Sequence, residues 1–101
     1  MDYNRVMRVQ MTEVYRDWIN FLRDRTARAR IQVRVDRLVH GNPGQYRRLT
    51  DGVCELKIDF GPGYRAYYTE REGEIIILLA GGDKSSQQKD IETAVSLARN
   101  L

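Results

Sequence analysis

The sequence predicts a single α+β domain over residues 1–101: a small antiparallel sheet of about four strands, two N-terminal helices packed on one face, and a C-terminal helix. Three observations carry this. Apolar residues recur at helical spacing through the first forty positions. From Val53 onward the period drops to two. The last fifteen residues return to helical spacing behind a Ser85/Gln88 capping-box pair.

In order along the chain, residues 5–11 alternate loosely and predict a short first strand. Thr12 then offers a hydroxyl to a free backbone N–H at a helix start. Val14, Trp18 and Leu22, with Tyr15 and Ile19 beside them, form one apolar stripe on that helix. Thr26 opens a second helix, with Ala27, Ile31, Val35 and Leu38 on its apolar face and Arg28, Arg30, Arg34 and Arg37 elsewhere. The run His40-Gly41-Asn42-Pro43-Gly44 ends it, because Gly suits a helix end and Pro cannot continue one. So short a break between the two helices predicts an antiparallel pair.

The second half alternates. Cys54, Leu56, Ile58 and Phe60 point to one side, and Glu55, Lys57 and Asp59 to the other. Gly61-Pro62-Gly63 predicts a turn and Tyr64–Thr69 the return strand of a hairpin. Glu74–Ala80 predicts a third strand of this meander, apolar on both faces and therefore central. Gly81-Gly82-Asp83-Lys84 is expected to end the sheet, and Ile91, Ala94, Val95 and Ala98 mark the core face of the last helix.

Composition narrows the function classes. Lys and Arg exceed Asp and Glu by 17 to 14, a mildly basic balance that favours an anionic partner. A lone cysteine, Cys54, excludes an intramolecular disulfide and suits a reducing cytoplasm. The N-terminus lacks a signal-peptide apolar region, and the longest apolar run, Ile75–Ala80, is far too short to cross a bilayer, so a cytoplasmic protein without a membrane partner is expected. No Cys/His cluster has zinc spacing, so neither a metal nor another cofactor is expected. The Gly81-Gly82-Asp83-Lys84-Ser85 run lacks the Walker spacing, which argues against nucleotide hydrolysis.

The candidate chemistry lies on the charged side of the hairpin. If Cys54, Leu56 and Ile58 pack inward, Lys57 faces outward, and pairing brings Arg65 and Tyr67 to the same side. Lys84 follows at the edge of the sheet. Cations of this kind neutralise phosphate, and an aromatic ring gives an unpaired base a face to stack on. RNA carries its own nucleophile, the 2′-hydroxyl, so fixed cations stabilise a pentacoordinate phosphate without a metal. A Lys or Tyr adds proton transfer. On these grounds Arg65, Lys57, Lys84 and Tyr67 are the catalytic candidates, and Arg34, Arg37, Arg47 and Arg48 the candidate RNA contacts. The bland expectation is that such arginines and lysines are solvated surface, that Tyr64 and Tyr68 are core, and that Cys54 is a small apolar filler. His40, in the helix-ending segment, is assigned no role.

The runs Gly52–Asp59, Gly61–Tyr68 and Leu78–Gln87, with Trp18, the stretch Ala27–Ile31 and Gly41-Asn42, resemble the phage-derived, HigB-like branch (addiction module killer proteins) of the RelE/ParE toxin superfamily. The resemblance runs through nearly the whole chain. It implies a RelE-like fold and a toxin of a type II toxin–antitoxin module. It further implies a ribosome-dependent, metal-independent endoribonuclease that cuts mRNA in the A site, with the ribosome, mRNA and a helix-turn-helix antitoxin as partners. Lys57 matches a strand lysine of the family, Arg65 the arginine after the hairpin turn, and Lys84 lies near a basic position at the end of the last strand. Two positions depart: Glu55 stands where RelE has a second lysine, and a C-terminal catalytic tyrosine has no match, which leaves Tyr67 as the substitute. The alternatives are a ParE-like poison of DNA gyrase, which shares the fold without RNA chemistry, and a degenerate toxin that serves only to bind its antitoxin.

Overall fold

The computed structural model describes residues 6–101. Its elements, in chain order, are β1 (Arg8–Met11), α1 (Glu13–Phe21), α2 (Arg25–Val39), β2 (Tyr46–Arg48), β3 (Val53–Ile58), β4 (Tyr64–Arg71), β5 (Ile75–Asp83), a 3-10 turn (Lys84–Ser86) and α3 (Gln87–Arg99). The strands form one sheet in the order β1-β5-β4-β3-β2. Helices α1 and α2 cover one face and α3 the other.

Local chemistry sets the element ends. The Thr12 hydroxyl accepts from the Tyr15 amide at 3.1 Å and caps α1 as expected. Helix α2 starts earlier than its predicted Thr26, because the Asp24 carboxylate accepts from the Ala27 amide at 3.1 Å and makes Asp24 the cap. In the predicted α1 stripe, Tyr15 and Ile19 are buried, Trp18 and Leu22 half-buried, and Val14 points outward.

The sheet has five strands rather than about four, and one pairing is parallel. Strand β1 runs parallel to β5, with Arg8 opposite Ile75 and Met11 opposite Leu78; of the predicted strand 5–11, Arg5 lies outside the described residues. The unpredicted strand is β2, three exposed residues, Tyr46–Arg48, held antiparallel to β3. So short and polar a segment has no apolar alternation to announce it. The β3–β4 hairpin turns at Gly61-Pro62-Gly63 as predicted, with both glycines at positive φ (56° and 82°), where a side chain would be strained.

The Gly81-Gly82 pair does not end the sheet. Strand β5 runs on to Asp83, with Gly81 opposite Ala66 and Gly82 opposite Arg65. A Cβ on Gly81 would overlap the Trp18 ring, and one on Gly82 would overlap the Asp90 carboxylate on the other face. The glycines thus admit α1 and α3 close against the two sides of one strand. The capping-box assignment moves too. Asp83, not Ser85, is the capping residue, and it pairs reciprocally with Ser86 around the 3-10 turn before α3. A bulge in the β4–β5 register at Tyr67/Tyr68 turns both Leu79 and Ala80 toward α3.

Two apolar clusters result. The larger joins Tyr15, Ile19, Ala27, Ile31 and Leu38 of the helices to Leu56, Ile58, Tyr64, Ala66, Tyr68, Ile76 and Leu78. The smaller joins Ala94 and Val95 of α3 to Val53, Tyr67, Ile77, Leu79 and Ala80. Cys54 packs against the larger cluster, and burial pushes its thiol pKa up, so it behaves as the small apolar residue expected. Among the described residues, no helix is long and apolar enough to cross a membrane.

Candidate functional site

Helix α3 covers only part of its face. Beyond its N-terminal end the strands β2, β3 and β4 leave a cleft of about 400 Å³ lined by Gln45, Tyr46, Arg47, Glu55, Lys57, Arg65 and Gln87. Register builds it. Lys57 of β3 stands opposite Arg65 of β4, Glu55 opposite Tyr67, and Arg47 of β2 opposite Glu55. The alternation of β3 that sends Leu56 and Ile58 into the larger core therefore sends Glu55 and Lys57 here.

Like charges directly across a strand pair are unfavourable, and Lys57 faces Arg65 in this way. The compensating charge is Glu55, 3% exposed. Its Oε1 accepts from Arg47 Nε at 2.8 Å and lies 4.0 Å from Arg65 Nε; its Oε2 accepts from Gln87 Nε2 at 2.9 Å. Burial pushes the Glu55 carboxyl pKa up, but the bonds and charge of Arg47 and the bond from Gln87 outweigh it and hold it below the usual value. Glu55 is thus ionised through the neutral range.

Arg65 is 5% exposed, and its Nη1 donates back to the carbonyls of Gly63 and Tyr64 at 3.0 and 3.2 Å, tying the guanidinium to the hairpin turn. Its Nε is buried with no hydrogen-bond partner. Lys84 is exposed. A Cβ placed on Gly63 would lie 3.3 Å from Arg65 Nη1 and 3.6 Å from Lys84 Cβ, so the lysine stem rises beside the Arg65 guanidinium.

Of the catalytic candidates, then, Lys57 and Arg65 meet in the cleft and Lys84 stands at its margin. Tyr67 corrects the expectation of an aromatic surface: it is wholly buried beneath α3, with no ring face open to a base. Its hydroxyl is buried beside Glu55 without a regular hydrogen bond. Burial first, and then the Glu55 charge, drive its pKa far above the usual tyrosine value.

The candidate RNA contacts divide. Arg47 lines the cleft. Arg48, one residue on, faces the opposite side, in a hollow with Cys54, Tyr68 and Glu70. Arg34 is structural: Nη1 donates to the Lys57 carbonyl at 2.6 Å, and Nη2 to those of Pro43 and Gln45 at 3.0 and 2.9 Å. It clamps α2 to β3 and to the segment leading into β2. Arg37 is exposed in a separate groove with Arg30 and Phe60, on the α2 side. Arg34 thus spends its donors on backbone, and Arg37 and Arg48 lie off the cleft. His40 is exposed near Asp36 and away from the cleft.

In the sequence Glu55 stands out as a charged position on the strand face of Lys57 and as a departure from a family pattern. Its role as counter-charge was implicit in its shared strand face with Lys57. Gln45, Tyr46 and Gln87 carried no such signal, since an unpredicted strand and a misplaced helix start bring them in. Among the described residues, no group of three or more His, Cys, Asp and Glu side chains is placed to hold a metal.

Comparison with known proteins agrees with this architecture. A protein of Haemophilus influenzae, itself uncharacterized, is 42% identical over 95 residues, covering 94% of this chain and 96% of its own. The solved structure of the E. coli toxin RelE, a double arginine mutant in the free state, matches with a TM-score of 0.74 at 16% identity, over 95% of this chain and 99% of that one. The two share a fold. The family model for phage-derived Gp49-like proteins matches residues 17–101, and the chain belongs to that family.

Proposed function

We propose that the chain is the toxin of a type II toxin–antitoxin module and that its cleft binds and cuts RNA, specifically mRNA on the ribosome. The observation that carries the reading is the cluster of Arg47, Lys57 and Arg65 in one cleft, with Lys57 and Arg65 directly opposite each other across the strand pair. A phosphodiester oxygen entering the cleft relieves the Lys57–Arg65 repulsion. Arg65 and Lys84 then stabilise the negative charge that develops on the non-bridging oxygens of the pentacoordinate phosphate. The 2′-hydroxyl loses its proton as its oxygen bonds phosphorus, the P–O5′ bond breaks and the departing 5′-oxygen takes up a proton; Lys57 holds a neighbouring phosphate oxygen or serves one of these proton transfers. Tyr67, buried and strongly protonated, takes no part. The RelE-like fold and the Gp49-like family support the toxin reading, and that reading brings a cognate antitoxin, expected to be a helix-turn-helix protein.

The test is induction in cells lacking the antitoxin, with mapping of new 5′ ends on translated messages. Cuts inside codons, absent when initiation is blocked, are expected, and Arg65→Ala should abolish both cuts and growth arrest while the protein stays folded. Arrest without new ends would shift the reading to a gyrase poison of the same fold. No arrest would identify a degenerate toxin.

A further inference from the structure

We infer that Glu55 is a built-in competitor for the cations of the cleft, so that an RNA phosphate must take Arg47 away from it, and Glu55 thereby keeps the affinity for free RNA low. This rests on the RNA reading of the cleft. The argument begins with an asymmetry between the partners. Glu55 is fixed, because it is 3% exposed and its second oxygen is held by Gln87 of α3. Arg47 is not: its side chain is 58% exposed, and it hangs from the three-residue edge strand β2. When an anion enters, the arginine is the partner free to leave.

The second step concerns charge. Three cationic side chains line the cleft, Arg47, Lys57 and Arg65, and Glu55 is the one acidic residue among the lining residues. Its single oxygen Oε1 faces both guanidinium groups, at 2.8 Å from Arg47 Nε and 4.0 Å from Arg65 Nε. That is where a phosphate oxygen would have to sit to gain both. The carboxylate therefore occupies the position of best complementarity and cancels part of the field that would attract RNA from solution. A substrate brought to the cleft by other contacts overcomes this competitor through local concentration; a free strand in solution does not.

The experiment compares the wild-type protein with Glu55→Gln, which keeps the shape and one of the two accepting oxygens but removes the charge. The probe is a fluorescein-labelled, uncleavable 2′-O-methyl RNA oligonucleotide, followed by anisotropy across a salt series. Glu55→Gln is expected to bind on the order of tenfold tighter at low salt, with the log–log salt slope steeper by about 0.7 for one released cation. On an Arg47→Gln background the same substitution should lose most of that gain. Binding that is unchanged or weaker in Glu55→Gln, or a gain that persists in full without Arg47, overturns the inference. A second readout uses the wild-type protein alone: the Arg47 Nε–H resonance should move in step with saturation by the oligonucleotide, and a static resonance overturns the displacement even if Glu55→Gln fails to fold. If neither protein binds the oligonucleotide, the RNA reading of the cleft falls first and takes this inference with it. If wild type binds and the substitution changes nothing, only the inference falls.

Discussion

On the sheet face under α1 and α2, Leu56, Ile58, Ala66, Tyr68, Ile76 and Leu78 meet Tyr15, Ile19, Ala27, Ile31 and Leu38 in one large apolar cluster. On the face under α3, apolar packing stops partway: Val53, Tyr67, Ile77, Leu79 and Ala80 meet Ala94 and Val95, and the rest is the charged cleft around Glu55. The same strands supply both faces, and alternation alone decides which residue goes where. A two-sided sheet can thus place its stability on one side and leave part of the other for chemistry, because a cluster of like charges costs stability that a full apolar face can offset.

The strongest way to break that division acts where helices α1 and α3 close on the two sides of strand β5. Gly81→Ala drives a methyl group into the Trp18 ring, and Gly82→Ala drives one into the Asp90 carboxylate. Trp18 is a bulky ring held beside Tyr15 at a 5.6 Å centroid distance, so it has little room to move. Gly81→Ala is expected to cost about 3 kcal/mol in urea unfolding, the upper end for overpacking. Asp90 can rotate away at the loss of its hydrogen bond from Ser86, so Gly82→Ala should cost about half as much. Equal costs would mean that the α3 face is as rigid as the other.

These glycines also show where the sequence was legible and where it was not. Their dipeptide reads as a chain break, because only the three-dimensional approach of Trp18 and Asp90 explains why a strand needs two missing side chains. The period-two pattern of Val53–Ile58, by contrast, is a local property, and it sorted Leu56 from Lys57 correctly. The cations of the cleft could be assigned to one side of the hairpin for the same reason. Burial of Tyr67 and Arg65 could not, since it depends on where α3 lies across the sheet, and no spacing within β4 encodes that. Strand β2 escaped because three polar residues carry no periodic signal, although they supply Arg47.

A smaller perturbation tests how far the stable face supports the other. Arg34 reaches from α2 to the carbonyls of Lys57, Pro43 and Gln45, so a helix on one side fixes the backbone that carries cleft residues Lys57 and Gln45. Arg34→Ala is expected to cost about 2 kcal/mol, less than the three charge-assisted bonds would give if buried, because water reaches the partly exposed carbonyls once the arginine is gone. It should also weaken binding of the uncleavable oligonucleotide, with little change in its salt slope. A steep loss of slope would instead make Arg34 a direct phosphate contact, and would restore the helical arginines as part of the binding surface.

The smallest effect is expected at Tyr67, and it decides what kind of residue the buried tyrosine is. Its ring fills the α3-side cluster, while its hydroxyl lies buried next to Glu55 without a regular hydrogen bond. Tyr67→Phe keeps the ring and deletes the hydroxyl. Removing a buried polar group that lacks a partner relieves a desolvation cost, so the stability change should stay within about 1 kcal/mol and can be favourable. A loss above about 2 kcal/mol would mean that the hydroxyl is bonded and belongs to the Glu55 network. Growth arrest should persist, because a phenol so strongly protonated beside a carboxylate is a poor base and has no open face for a nucleotide. Loss of arrest in a protein that unfolds like wild type would return Tyr67 to the proton-transfer role and place the boundary between packing and chemistry one residue deeper under α3.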